Sequence, residues 1–248
     1  MLLHLCTWQE VDAYLKGSTG IIIPIGSTEQ HGPNGLIGTD AICPETIARG
    51  VAEKVNALIA PTLSIGMAQH HLGFAGTISF RPSTLISVIK DVVDSLARHG
   101  FDRLYFLNGH GGNIATIRAA FSEVYAEVSV EAGDAYSKSV RCKLSNWYMA
   151  PGVGKLSQEL FGASEGSHAT PSEVSLSYFA YPDSVKSVDM TPKIAPNGPI
   201  LDADDYRRRF PDGRIGSDPS LASIQAGEKL YVAAVTDIAR DYREFVES

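Results

Sequence analysis

The sequence predicts an α/β fold in a single domain, 1–248, with a mainly parallel β-sheet flanked by helices on both faces. Three observations carry this expectation. Apolar runs of strand length at 21–25, 57–61 and 103–107 alternate with longer stretches of helical periodicity. The first run, Ile21-Ile22-Ile23-Pro24-Ile25, is apolar throughout, as in a strand covered on both faces. A chain of 248 residues with 44% hydrophobic content is long enough to bury one sizeable core.

Taken in order, 7–16 reads as a first helix, with Thr7 as cap, Glu10 three residues on and Gly17 as the stop. The strand at 21–25 follows, then a polar loop, then a helix from about Asp40 to Val55. Residues 57–61 form a second strand, and 65–80 an irregular Gly-rich passage. The helix at 83–99 carries Leu85, Ile86, Ile89, Val92, Val93 and Leu96 at helical spacing, and Gly100 ends it. A third strand at 103–107 leads to a helix over about 113–127, and a fourth strand is expected near 128–133. Residues 155–161 read as helical or irregular. Thr170, Pro171 and Glu173 spell a capping box for a further helix. Residues 183–219 are too long for a plain connector, and read as a lid or an intersubunit arm. Asp218-Pro219 is expected to open the last helix, 220–246.

Composition narrows the function. A net charge of −7 argues against a nucleic-acid partner, since phosphate binding needs a basic face. No apolar run reaches membrane-span length, and the start Met1-Leu2-Leu3-His4 lacks the basic and apolar regions of a signal peptide. Three widely spaced cysteines with no CxxC pair read as reduced thiols. A cytoplasmic location without membrane contact is the expectation.

The chemistry gathers at strand ends. Gly26-Ser27-Thr28-Glu29-Gln30-His31-Gly32 follows the first strand, and Asp40 stands where the next helix begins. Two carboxylates and an imidazole there suit a divalent ion such as zinc or manganese. The competing reading is a polar turn whose Asp40 caps the helix. Asn108-Gly109-His110-Gly111-Gly112-Asn113 ends the third strand in the same relative place, so His110 can meet Glu29, His31 and Asp40 at one sheet edge. The glycines around His110, Gly109 and Gly111 among them, let backbone approach a ligand closely. A dinucleotide loop would need glycine where Ile114 stands, and no Gly-Lys-Ser/Thr is present. Residues 162–166 match a nucleophile-elbow pattern, but the preceding segment is not a strand.

Together these motifs, with Gly76-Thr77-Ile78-Ser79 and His168-Ala169 before Glu173, resemble the creatininase (creatinine amidohydrolase) family from about residue 5 to 180. The resemblance implies a metal-dependent hydrolase of small cyclic or linear amide C–N bonds. It implies two divalent ions per chain, zinc and/or manganese with ferrous iron an alternative, and a hexamer. Carried over, Glu29, Asp40 and His110 would hold one ion. His31, Asp40 and a further carboxylate would hold the second, and Asp40 would bridge them. Creatininases proper have Tyr and Glu after the loop histidine, where this chain has Gly111 and Gly112. The missing carboxylate points to Glu173, for which the capping role competes. The family's Glu-His before its Phe-Pro-Gly-Thr segment reads here as His70-His71, with Ala75 for the proline, so creatinine is not the expected substrate. His71 is expected to line the pocket.

The implied mechanism is attack by a hydroxide shared between the cations. His168 serves as the mobile acid for the leaving nitrogen, with Glu165 a candidate to orient it, and Glu173 joins His168 as catalytic. The alternative is a catalytically degenerate metal- or ligand-binding protein on the same scaffold. Trp147, Tyr148 and Met149 are expected to pack in the core, with a place on the pocket wall the alternative.

Overall fold

The structure, a computed structural model, describes residues 1–130 and 140–248. Four parallel strands form its sheet: β1 (Gly20–Ile25), β2 (Leu58–Ile59), β3 (Arg103–Asn108) and β4 (Arg141–Asn146), in the order β2-β1-β3-β4. Successive side chains leave a strand on opposite faces. Ile21, Ile23, Ile25, Leu104 and Phe106 therefore enter one core, and Ile22, Tyr105 and Leu107 the other. The first core is covered by α1 (Trp8–Leu15), α3 (Pro82–His99) and α4 (Ile114–Val130). The second is covered by α2 (Thr39–Val55), α5 (Pro151–Phe161), α6 (Pro171–Ala180) and, after α7 (Ala203–Arg209), by α8 (Ile224–Glu247). The expected α/β architecture is present, with helices on both faces.

Both capping boxes read from sequence form, Thr7 with Glu10 and Thr170 with Glu173. Two boundaries differ. Residues 128–130, expected to begin the fourth strand, instead extend α4, where Ser129 Oγ donates to the Tyr125 carbonyl at 2.8 Å; 131–133 lie outside the described residues. Adding one more turn to an existing helix costs far less than nucleating a new element. The true fourth strand is Arg141–Asn146, a half-buried edge whose Arg141 and Lys143 hide the apolar signal and suit a sheet edge. The last helix starts later than expected. Pro219–Leu221 is an isolated 3-10 turn, and Ser223 caps α8 by accepting from the Ala226 N–H. No helix among the described residues is long and apolar enough to cross a membrane.

Residues 183–219 divide in two: most of 183–204 is exposed, whereas 213–219 is buried. Arg214, fully buried, donates to Asp212 and to the carbonyls of Pro192, Lys193 and Ser217, so one guanidinium satisfies several loop groups. Arg208 and Arg209 are held by Asp205, and Arg207 lies over the Phe74 ring at 4.4 Å. Trp147 is buried in the core, whereas Met149 is exposed.

Candidate metal centre

Strand order reverses beside β1: β2 lies on one side of it and β3 on the other. Such switch points open a crevice beyond the carboxyl ends of the strands. Here Ser27 to His31 leave β1 and His110 follows β3. The start of α2 is wedged between these two strand ends. A Cβ on Gly26 or Gly109 would lie 2.1 or 2.0 Å from the Asp40 carbonyl oxygen, so only glycine admits the helix there. Asp40 is thereby delivered between the two loops. It does not cap the helix: Gly38 occupies the cap position, and the Asp40 carboxylate faces the two histidines.

Asp40 Oδ1 lies 3.0 Å from His31 Nε2, and Oδ2 lies 2.9 Å from His110 Nδ1. His110 Nε2 is 3.3 Å from Glu29 Oε2, which also accepts the Ser27 hydroxyl at 2.7 Å. Ligand-type atoms fall into three groups, each within 4.8 Å: Glu29, Asp40, His110; His31, Asp40, Glu173; and Glu29, His31, His168. Asp40 is common to the first two. Two buried oxygens, Glu29 Oε1 and Asp40 Oδ2, accept no hydrogen bond although ring nitrogens stand about them. Lone pairs converging without an aligned donor fit a divalent cation, and the O/N donor set fits zinc or manganese.

The electrostatics agree with that fit. Burial pushes the His31 imidazole down, but Asp40, Glu173 and Glu29 outweigh it and raise it to about 10. Burial likewise opposes His110, which Glu29 and Asp40 raise to about 9. Burial raises the Asp40 carboxyl, yet His31 and His110 hold it well below the usual carboxylate range. In the ion-free chain, protons on two rings therefore supply the positive charge that this cluster demands.

Glu173 caps α6, the competing role read for it, and its carboxylate also stands beside His31 and Asp40. Its Oε1 accepts the Thr170 N–H at 2.6 Å, and the same oxygen lies 3.9 Å from His31 Nε2. Burial, opposed by His31 and aided by Asp40, pushes its carboxyl up to about 7. His168 projects where Ala169 takes a left-handed φ of 53°, a conformation costly for alanine, of order 1 kcal/mol. Burial and then the His71 and His31 rings push His168 well below the usual histidine range. Glu165 does not orient it; its Oε1 accepts the Ser172 hydroxyl.

Beside the cluster opens a cleft of about 300 Å³ lined by Gly109, Gly111, Tyr148, Glu165, His168 and Glu173 among others. His71 is not on that wall. It is buried behind it, 3.0 Å from Glu29 Oε1, with burial and then His70, His110 and His31 pushing it down to about 2. Sequence reasoning missed Gln30, which touches His71 and His168, and favoured the core for Tyr148, which instead lines the cleft. Gln30 stands inside the 26–32 motif, but nothing local marks its amide as buried. The elbow-like 162–166 segment follows α5 and begins as a 3-10 turn, so no strand precedes it.

A family model described as "Creatininase: Creatinine amidohydrolase" matches residues 4–242. The creatinine amidohydrolase of Pseudomonas putida is 32% identical over 96% of this chain and 94% of its own. A mycofactocin precursor peptide peptidase of Mycobacterium ulcerans is 38% identical over 43% of this chain and 46% of its own. A solved creatininase described with Mn superposes at TM-score 0.85, with 27% identity, covering 100% of this chain and 99% of that one. A mutant creatininase of Zn-Zn type gives 0.84 with 26% identity, covering 100% and 98%. With the same fold and a matching sequence model over nearly its whole length, this chain belongs to the creatininase family of amidohydrolases.

Proposed function

We propose that this protein is a divalent-metal-dependent amidohydrolase that cleaves a C–N bond in a small cyclic or linear amide other than creatinine. The observation that carries the reading is Asp40, whose two buried oxygens face His31 on one side and His110 on the other. Glu29, Asp40 and His110 would hold one ion; His31, Asp40 and Glu173 would hold the second. Zinc or manganese supplies Lewis-acid polarisation of an amide carbonyl and a nucleophile from water near neutral pH. The remaining work falls to side chains. His168, neutral and on the cleft wall, takes a proton at Nδ1 and returns it to the departing nitrogen. Glu173, with its carboxyl near neutrality, is the second group suited to proton transfer. The bare backbone at Gly109 and Gly111 leaves room for the substrate. Six chains of 26.6 kDa, as the family resemblance implies, form the assembly.

The loop glycines favour a substrate unlike creatinine. A Cβ on Gly112 would lie 2.4 Å from His110 Nε2, so this loop has no space for a carboxylate side chain beside that ring. That gap also favours a second reading, a degenerate metal-binding protein. Glu173 weighs against it, because it restores a carboxylate to the cluster from another element. The test is a panel of creatinine, lactams, formamides and short peptides given to zinc- and manganese-loaded protein. Turnover of a non-creatinine amide, abolished by chelator and restored by metal, is expected. Metal-loaded protein that turns over none of them would favour the degenerate site.

A further inference from the structure

We propose that Gln30 is a positioning residue that sets which nitrogen carries the proton on His71 and His168. Its consequence for catalysis rests on the amidohydrolase reading; the assignment itself rests on hydrogen bonds. Gln30 is buried between Glu29 and His31. Its amide orientation is fixed by its neighbours: Oε1 accepts the Gly32 N–H at 2.8 Å, and Nε2 lies 2.9 Å from the Gly213 carbonyl, which only accepts. One amide hydrogen therefore goes to Gly213. The other has His168 Nε2 at 2.9 Å, His71 Nδ1 at 3.0 Å and, farther off, Tyr206 Oη at 3.3 Å.

Tyr206 Oη is the longest of these contacts, and between the two rings the choice is forced. His168 Nε2 is 2.8 Å from the Gln30 backbone carbonyl, so Nε2 must carry hydrogen and donate there. It cannot also accept from the amide. His71 Nδ1 takes the second amide hydrogen, which puts the His71 proton on Nε2, the nitrogen 3.0 Å from Glu29 Oε1. His168 is left with a bare Nδ1, 3.8 Å from the same oxygen. One residue thus makes one ring present N–H towards Glu29 and its neighbour present a lone pair. The side chain governs His71 and the main chain governs His168. Gln30 is also latched from behind: Tyr206 Oη donates to the Gly213 carbonyl at 2.8 Å, and Gly213 has φ 86°.

The experiment is long-range ¹H–¹⁵N correlation on histidine-labelled, zinc-loaded full chain, comparing wild type with Gln30→Met, which keeps length but has no donor. In wild type both rings are expected in the Nε2–H form. Gln30→Met is expected to move His71 away from that form and leave His168 in it, because the backbone carbonyl remains. A disturbance of packing alone would not separate the two rings in this way. Should Gln30→Met fail to fold, Gly213→Ala is the second variant, since its Cβ would lie 1.9 Å from Gln30 Oε1 and displace the amide from the other side. Wild-type His71 protonated on Nδ1, or a His71 signal unchanged in the variants, would overturn the proposal. Elemental analysis of the same samples separates the two claims. A metal-free wild type with this tautomer pattern would sink only the amidohydrolase reading, and a metal-loaded one with another pattern only the role of Gln30.

Discussion

At the scale of single residues, the cluster is a competition between protons and divalent ions. His31, raised to about 10, and His110, raised to about 9, are protonated at pH 7 in the ion-free chain. Binding a cation must displace those protons, so metal affinity is expected to climb from pH 6 through 9 and to flatten only above about 10, once both rings have lost them. Calorimetric titrations with zinc in buffers of different ionisation enthalpy read this directly; roughly two protons released per chain at pH 7 is the expected result. Release of none would mean the rings are not where the ions go. His168 makes the complementary prediction. His168→Ala should keep the metal content of wild type and lower kcat by about 10²–10⁴-fold, the usual worth of a positioned proton-transfer group. Unchanged turnover would remove it from the mechanism.

At the scale of elements, Glu173 joins the start of α6 to the cluster, and its two roles can be separated. Gln at the same position preserves the reciprocal bond to the Thr170 N–H but is a poor metal ligand. Metal-stripped Glu173→Gln is expected to melt close to wild type, whereas Glu173→Ala loses about 1 kcal/mol of cap energy. Both should bind less metal. Full metal content in Glu173→Gln would leave only the cap. Elements were legible wherever local chemistry decides them. Thr7 with Glu10 and Thr170 with Glu173 are short-range bonds written in the sequence, and the α3 stripe is a matter of spacing. β4 was not legible, because an edge strand with Arg141 and Lys143 owes its place to pairing with β3, a contact made far along the chain. The α4 end was misread because Val128 and Val130 favour strand locally, while the growing helix decides the outcome.

At the scale of the whole molecule, the topology makes the site. Parallel strands of order β2-β1-β3-β4 put two loops at one reversal, and glycine at 26 and 109 lets α2 deliver Asp40 between them. Of the residues expected to meet there, Glu29, His31 and His110 were legible because the two motifs occupy equivalent places after their strands and Asp40 because it opens the next helix, whereas Glu173 was reached only through the family resemblance. What was not legible comes from 183–219, whose fold rests on long-range contacts such as buried Arg214 and the Gly213 carbonyl reaching Gln30. No local pattern encodes those. The expected hexamer is checked by sedimentation, where a mass of one 26.6 kDa chain would contradict it. The central claim, that this sheet edge gathers ligands for two ions around one shared carboxylate, is tested most directly by metal stoichiometry in folded wild type and Asp40→Asn. Two divalent ions per chain in the first and none in the second is the predicted result. One ion or none in wild type, or full metal content in Asp40→Asn, would contradict it.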